Sequence, residues 1–148
     1  MATTDRQARV TWQGALTTGS GEVELASSLA GTFPVTWASR VEAPEGRTSP
    51  EELLAAAHAA CYAMAFSHSL AQDGTPPQRL HVQATVSLGP KDGGGIQVNA
   101  SHLEVTGVVP GLDAAAFQAA AEKAEQGCPI SNAVRGNLEI TVRGTLEE

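Results

Sequence analysis

The chain has 148 residues, about the size of one domain, and at that length roughly two-thirds of the surface exposed by the unfolded form is buried. Apolar residues make up 42% and charged residues 17%, with a mean hydropathy of -0.09, which excludes a disordered chain. Sixteen acidic against nine basic residues give a net charge of -7, and no cluster of Lys or Arg could follow a phosphate backbone, so no nucleic-acid partner is expected.

The opening MATTDRQARVTWQG lacks an apolar leader region. The most apolar stretch, Leu53 to Phe66, is interrupted by His58 and is shorter than the ~20 residues of a span, so a cytoplasmic protein with no membrane partner is expected. Cys61 and Cys128 lie far apart, without metal-ligand spacing or a disulfide framework. In a reducing compartment such a pair means buried thiols or redox chemistry.

No repeat or long linker interrupts residues 1–148, which are read as a single domain. Short alternations at Val10, Trp12 and Leu16, at Val23 and Leu25, and at Phe33, Val35 and Trp37 predict a meander of strands broken by Gly19-Ser20-Gly21 and Gly31. Ser49-Pro50-Glu51-Glu52 then opens a helix, with Ser49 as cap, Pro50 in the first turn and Glu52 completing a capping box. This helix runs to a stop near Gly74, and small or apolar residues on nearly its whole circumference predict burial on several sides.

Strict alternation from Arg79 to Leu88 predicts a half-buried antiparallel strand, with Leu80, Val82, Ala84, Val86 and Leu88 inward. The turn at Gly93-Gly94-Gly95 leads to a hairpin partner in which the apolar phase switches after Ala100, predicting a bulge near Ser101. Asp113 caps a second helix with Ala116, Phe117, Ala120, Ala121 and Ala124 inward, Gln118, Glu122 and Glu125 outward, and Gly127 at its end. A helical turn from Cys128 and a strand through Leu138, Ile140 and Val142 complete an α+β order of elements.

Cys61, in the middle of the long helix, reads from its position as a small core residue. Cys128 precedes Pro129 at a helix start, where free N–H groups favour a thiolate, so position alone nominates Cys128 as the readier nucleophile. Cys61 would need a cation, and Arg40 and Arg47 are the nearest upstream candidates. His58 shares the Cys61 face of the helix, so a zinc site of His58, Cys61 and Cys128 is a weaker alternative that lacks a fourth ligand. His68, His81 and His102 read as surface or rim residues, and Tyr62, Met64 and Phe66 as core.

The segments SPEELLAAAHAACYAMAFS at 49–67 and GCPIS at 127–131, with VPGLDAAAF between them, resemble the OsmC/Ohr family of osmotically inducible protein C and organic hydroperoxide resistance proteins. The resemblance covers essentially the whole chain. It implies antiparallel sheets packed around a long buried central helix in an intertwined homodimer, with active sites at the interface. It also implies an antioxidant, stress-response peroxidase that reduces organic hydroperoxides, and hydrogen peroxide more weakly, with no cofactor or metal. Cys61 becomes the peroxidatic residue and Cys128 the resolving one. The acidic partner of the family's reactive thiol falls on Glu51. The Arg falls on Arg40 in WASRVE, as in the OsmC branch, because TTGSGEVEL has no Arg where the Ohr branch carries one; Arg47 is the fallback.

In that chemistry a Cys61 thiolate attacks a peroxide oxygen, an alcohol leaves, and the sulfenic acid condenses with Cys128 to a redox-active disulfide. Arg40 would stabilise the thiolate and hydrogen-bond the peroxide, Glu51 would hold the guanidinium, and an outside dithiol, in the family often a lipoyl group, would reduce the disulfide. Ten helical steps of ~1.5 Å put Glu51 ~15 Å from Cys61 along one helix axis. Either Arg40 bridges much of that gap, or the Glu51 that serves Cys61 comes from a second chain whose helix runs antiparallel, and the second is the favoured expectation. The competing reading is a non-enzymatic α+β module that binds an apolar ligand and merely packs its cysteines.

Overall fold

Three short strands come first, β1 (Arg9–Gln13), β2 (Ser20–Glu24) and β3 (Thr32–Val35), paired antiparallel in chain order as the alternations predict. The computed structural model describes all residues, 1–148, and the chain divides into two units, Met1–Leu53 and Leu54–Glu148. In the first unit Trp12 pairs with Gly21, and a Cβ added at Gly21 would lie 2.8 Å from the indole. The glycine is therefore what lets the ring lie flat across the neighbouring strand. Val23 is the buried hydrophobic residue of this sheet, while Val10, Leu16 and Phe33 remain exposed.

The expected alternation through Trp37 fails at its last residue. Trp37 begins a short helix, α1 (Trp37–Val41), because Thr36 and Ser39 form a reciprocal capping box: each side chain bonds the other's backbone N–H at 3.0 Å. Arg40 consequently sits in the last turn of a helix and not at a strand end. The Ser39 hydroxyl also donates to Thr48 O at 2.9 Å, which ties the following loop back to α1.

The long helix, α2 (Pro50–Gln72), starts and stops where expected. Ser49 Oγ accepts from Glu52 N at 3.1 Å, but the Glu52 carboxylate binds the Thr48 hydroxyl at 2.6 Å, so only half of the predicted box forms. Burial on several sides is not what the single chain has. His58, Tyr62, Phe66 and Leu70 are buried at intervals of four residues, a single stripe, and Met64 is 71% exposed. At 23 residues α2 is also long and apolar enough to cross a membrane by length and composition, contrary to the expectation from Leu53 to Phe66. Its stripe instead packs on protein.

In the second unit β4 (Arg79–Pro90) and β5 (Ile96–Val108) form the predicted hairpin. The register slips where Ala100 faces Ser87 and Val98 faces Leu88, so the bulged residue is Asn99, two positions before the one predicted. The last strand, β6 (Glu139–Leu146), pairs with β5 in parallel, so the second sheet is mixed and the expected antiparallel arrangement holds only for its hairpin. The cause is the connection: α3 (Ala114–Gln126) and α4 (Pro129–Val134) lie between the two strands, and a helical crossover returns the chain to the same end of the sheet.

The core of this unit joins Tyr62, Phe66 and Leu70 of α2 to Leu103 and Val105 of β5 and to Phe117, Ala121 and Ala124 of α3. Asp113 caps α3 by accepting from Ala116 N at 2.8 Å, and Gly127 closes it. Ala116 is exposed and Glu125 buried, the reverse of the predicted faces. Phe117 fits because two strands carry glycine beneath it: a Cβ at Gly107 would lie 2.8 Å from the ring, and one at Gly144 3.1 Å. Gly107→Ala is therefore expected to destabilise the protein by about 1–3 kcal/mol, measured as a lower denaturation midpoint with an unchanged slope.

Candidate active site

The loop after α1 determines the first group of predicted site residues. With Thr48 held by Ser39, α2 begins close enough to α1 that Arg40 grips Glu51 by two nitrogens. Arg40 Nε donates to Glu51 Oε1 at 3.1 Å and to Oε2 at 3.2 Å, and Nη2 donates to Oε1 at 2.8 Å. The guanidinium also lies over the Trp37 ring, 5.9 Å from its centroid. A planar fork held by a carboxylate and an indole has few free rotamers, so its remaining N–H groups are presented in a defined direction. Arg47, the fallback, lies on an exposed turn 3.9 Å from Glu45 and has no such support.

Within the same unit Arg40 borders an apolar cavity of about 420 Å³, lined by Val10, Trp12, Leu16, Val35 and Trp37 among others. Arg40 is its one charged wall. The cavity can take an alkyl or aryl group with a polar end turned toward the guanidinium.

The second group forms in the second unit. Cys128 is the N-cap of α4, with its Sγ accepting from Ser131 N at 3.5 Å. Cys61 is its neighbour, close enough for the two thiols to influence each other's ionisation, and both cysteines are free. Cys128 is fully buried and Cys61 only partly so, so an entering molecule reaches Cys61 first. Burial pushes the Cys61 thiol above its ordinary range, the Ile130 backbone N–H draws it down, and neighbouring Cys128 pushes it up. The net shift is upward, so the folded chain holds this proton more tightly than the unfolded chain. That stabilisation is complete below the ordinary thiol range and is lost as pH rises through the folded value of Cys61. Cys61→Ser should flatten the alkaline fall of stability in denaturation curves taken from neutral to high pH.

His58 is 1% exposed, and both of its ring nitrogens are taken: Nδ1 lies 2.7 Å from Ser101 Oγ and Nε2 2.8 Å from Ser131 Oγ. Burial holds its imidazole below the ordinary range, against the pull of the Glu125 carboxylate. A ring engaged at both nitrogens has no lone pair for a metal, and no group of three His, Cys, Asp or Glu residues stands together to hold one, so the zinc alternative of His58, Cys61 and Cys128 is not supported. Of the other histidines, His68 and His81 are exposed and His102 bonds Thr141.

Ser101, Ser131 and Glu125 are the residues that sequence reasoning missed. Ser131 had a signal, as the third residue after the predicted turn start at Cys128. Glu125 had none, because its burial comes from Arg135, which donates to it at 2.6 Å from beyond α4.

Comparison with known proteins gives a consistent picture. Residues 43–143 match the family described as OsmC-like protein. Over 138 residues the chain is 34% identical to peroxiredoxin OsmC of Escherichia coli K12, covering 93% of this chain and 95% of that one. It is 41% identical over 97 residues to an organic hydroperoxide resistance protein of Xanthomonas axonopodis pv. citri, covering 64% of this chain and 65% of that one. Among solved structures, the organic hydroperoxide resistance protein OhrB of Bacillus subtilis superposes with a TM-score of 0.75 at 26% identity, covering 94% of this chain and 98% of that one. An OsmC of Legionella pneumophila superposes at 0.78 with 25% identity, covering 98% and 99%.

Proposed function

The chain belongs to the OsmC-like family, and on that premise we propose that residues 1–148 act as one domain that reduces organic hydroperoxides through Cys61 and Cys128. The observation that carries this reading is the meeting of two free thiols from distant parts of the chain, one reachable and one enclosed. A packing role has no need of that pairing. The Cys61 thiolate attacks the distal peroxide oxygen, the O–O bond breaks, and the alkoxide takes a proton and leaves as an alcohol. The Cys61 sulfenic acid then meets Cys128, whose sulfur forms the S–S bond while the hydroxyl departs as water. An external dithiol, for which a lipoylated protein is the candidate, restores both thiols by exchange. A reducing cytoplasm suits this cycle.

Arg40 supplies the charge that a thiol raised by burial needs, and Glu51 holds the guanidinium. The working unit is a homodimer in which one chain's Arg40 and Glu51 serve its partner's Cys61. Two features favour a dimer: Val10, Leu16 and Met64 lie exposed, and α2 carries an exposed face through Ala57, Ala60, Met64 and His68. The cavity beside Arg40 favours hydroperoxides with an apolar body, with hydrogen peroxide the poorer substrate because it has nothing to bury there.

The test is free-thiol titration of the reduced protein before and after one equivalent of cumene hydroperoxide. Loss of both thiols is expected, and survival of both overturns the reading in favour of an apolar-ligand module. In solution the mass should be twice 15.2 kDa, and a monomer with full activity would remove the shared site. Glu51→Gln, which loosens the guanidinium without removing its charge, should lower kcat/KM about tenfold in a steady-state assay.

A further inference from the structure

His58 is buried and polar and stands one turn of α2 before Cys61, yet the cycle above gives it nothing to do. Its ring joins three elements. It stands on α2 one turn before Cys61, its Nδ1 meets Ser101 on β5, and its Nε2 meets Ser131 in the first turn of α4. Ser131 is also the residue whose backbone N–H donates to Cys128 Sγ. One side chain thus connects the helix bearing Cys61 to the turn bearing Cys128, by way of a residue that touches the Cys128 sulfur.

We propose, building on the peroxidase reading, that His58 is a positioning residue for the resolving step: through Ser131 it pins the Cys128 turn so that the Cys128 sulfur faces the Cys61 sulfenic acid.

In that step the Cys128 sulfur attacks the Cys61 sulfur, the S–S bond forms as the S–O bond breaks, and the hydroxyl leaves with the Cys128 proton as water. The step is sensitive to placement because a disulfide tolerates a narrow range of Cα separation and torsion. A neutral imidazole offers one donor and one acceptor, so one serine hydroxyl donates to the ring and the other accepts from it, and both neighbours are fixed in the same act. The anchoring is local to α4's first turn. Its far end is held separately by Arg135 and Glu125, so losing His58 frees the cysteine end without detaching the whole segment.

The test separates the two chemical steps. Reduced wild type, His58→Leu, His58→Gln and Ser131→Ala each receive one equivalent of tert-butyl hydroperoxide, with hydroperoxide loss, sulfenic acid trapped by a cyclic 1,3-dione and disulfide formed all followed against time. In His58→Leu and Ser131→Ala, disulfide closure should slow about 10- to 100-fold while hydroperoxide loss stays within about threefold. The sulfenic acid then becomes trappable, and a second equivalent carries Cys61 to the sulfinic acid. His58→Gln, which keeps one donor and one acceptor, should recover part of the closure rate. Closure at the wild-type rate in both His58→Leu and Ser131→Ala overturns the inference, as does an equal fall in both steps, which would mean general damage to the fold. Ser131→Ala removes one hydroxyl and leaves the backbone donor in place, so it decides the matter if His58→Leu does not fold. A wild type that keeps both thiols overturns the peroxidase reading and this inference with it, whereas normal closure in wild type and variants alike overturns this inference alone.

Discussion

Cys61→Ser should lose about a thousandfold or more of the hydroperoxide reductase rate while unfolding at nearly the wild-type denaturant concentration. The hydroxyl of serine is a far weaker acid than a thiol, and the imidazole one turn away, His58, has both ring nitrogens engaged by Ser101 and Ser131 and is not free to act as its base. The packing cost is small because Cys61 is only partly buried at the margin of the core. Cys128→Ser separates the roles. It should complete one turnover, stop at a trappable sulfenic acid and pass to the sulfinic acid with excess hydroperoxide, read as mass increments on Cys61. If instead Cys128→Ser abolishes the first turnover and Cys61→Ser does not, the two roles are exchanged, which is the order that helix position alone suggested.

Arg40→Met carries the second large effect, a fall of about 100- to 1,000-fold in kcat/KM at pH 7. Two losses combine. Burial already pushes the Cys61 thiol upward, and in the proposed shared site removing the Arg40 charge would push it further the same way, leaving less of the reactive form at neutral pH. The hydrogen bonds that would meet charge on the departing oxygen are lost as well. Because the thiolate is the nucleophile, the rate rises with pH, and the inflection of the pH profile should move to higher pH in the variant. Recovery at high pH should be only partial, since alkali restores the thiolate but not the donors. A profile that shifts and recovers fully would assign Arg40 to thiolate stabilisation alone, and an unshifted profile would detach it from Cys61. Some stability is also expected to go, because Glu51 is 8% exposed and would be left without its partner.

Much of this arrangement is written locally. The N-terminal end of α2 follows from Ser49 and Pro50, the strand β4 from an alternation that holds from Arg79 to Leu88, the cap of α3 from Asp113, and the N-cap position of Cys128 from the proline after it. Each depends on a few neighbouring residues and on one backbone periodicity, so each is legible without knowing what the chain touches. The proposed assignment of Cys61 and Cys128 as the reactive pair is legible in another way, through the SPEEL, AAHAAC and GCPIS segments that resemble the family to which the chain belongs. Composition and spacing alone would have left Cys61 a core residue.

What the sequence could not determine is which distant groups meet. That Trp37 opens a helix depends on Thr36 and Ser39 serving each other in place of a strand ladder, and Arg40 finds Glu51 only because Ser39 then holds Thr48. The parallel pairing of β6, the buried face of Glu125 and the engagement of both His58 nitrogens are likewise settled by partners brought in from elsewhere in the chain. By itself, then, the sequence determined most of the elements, several of their caps and the family segments that carry Cys61 and Cys128. Tertiary structure alone decided how a histidine, two serines and a buried carboxylate are arranged around them, because a polar side chain's burial and charge are set by the partner it meets and not by its place in a repeat.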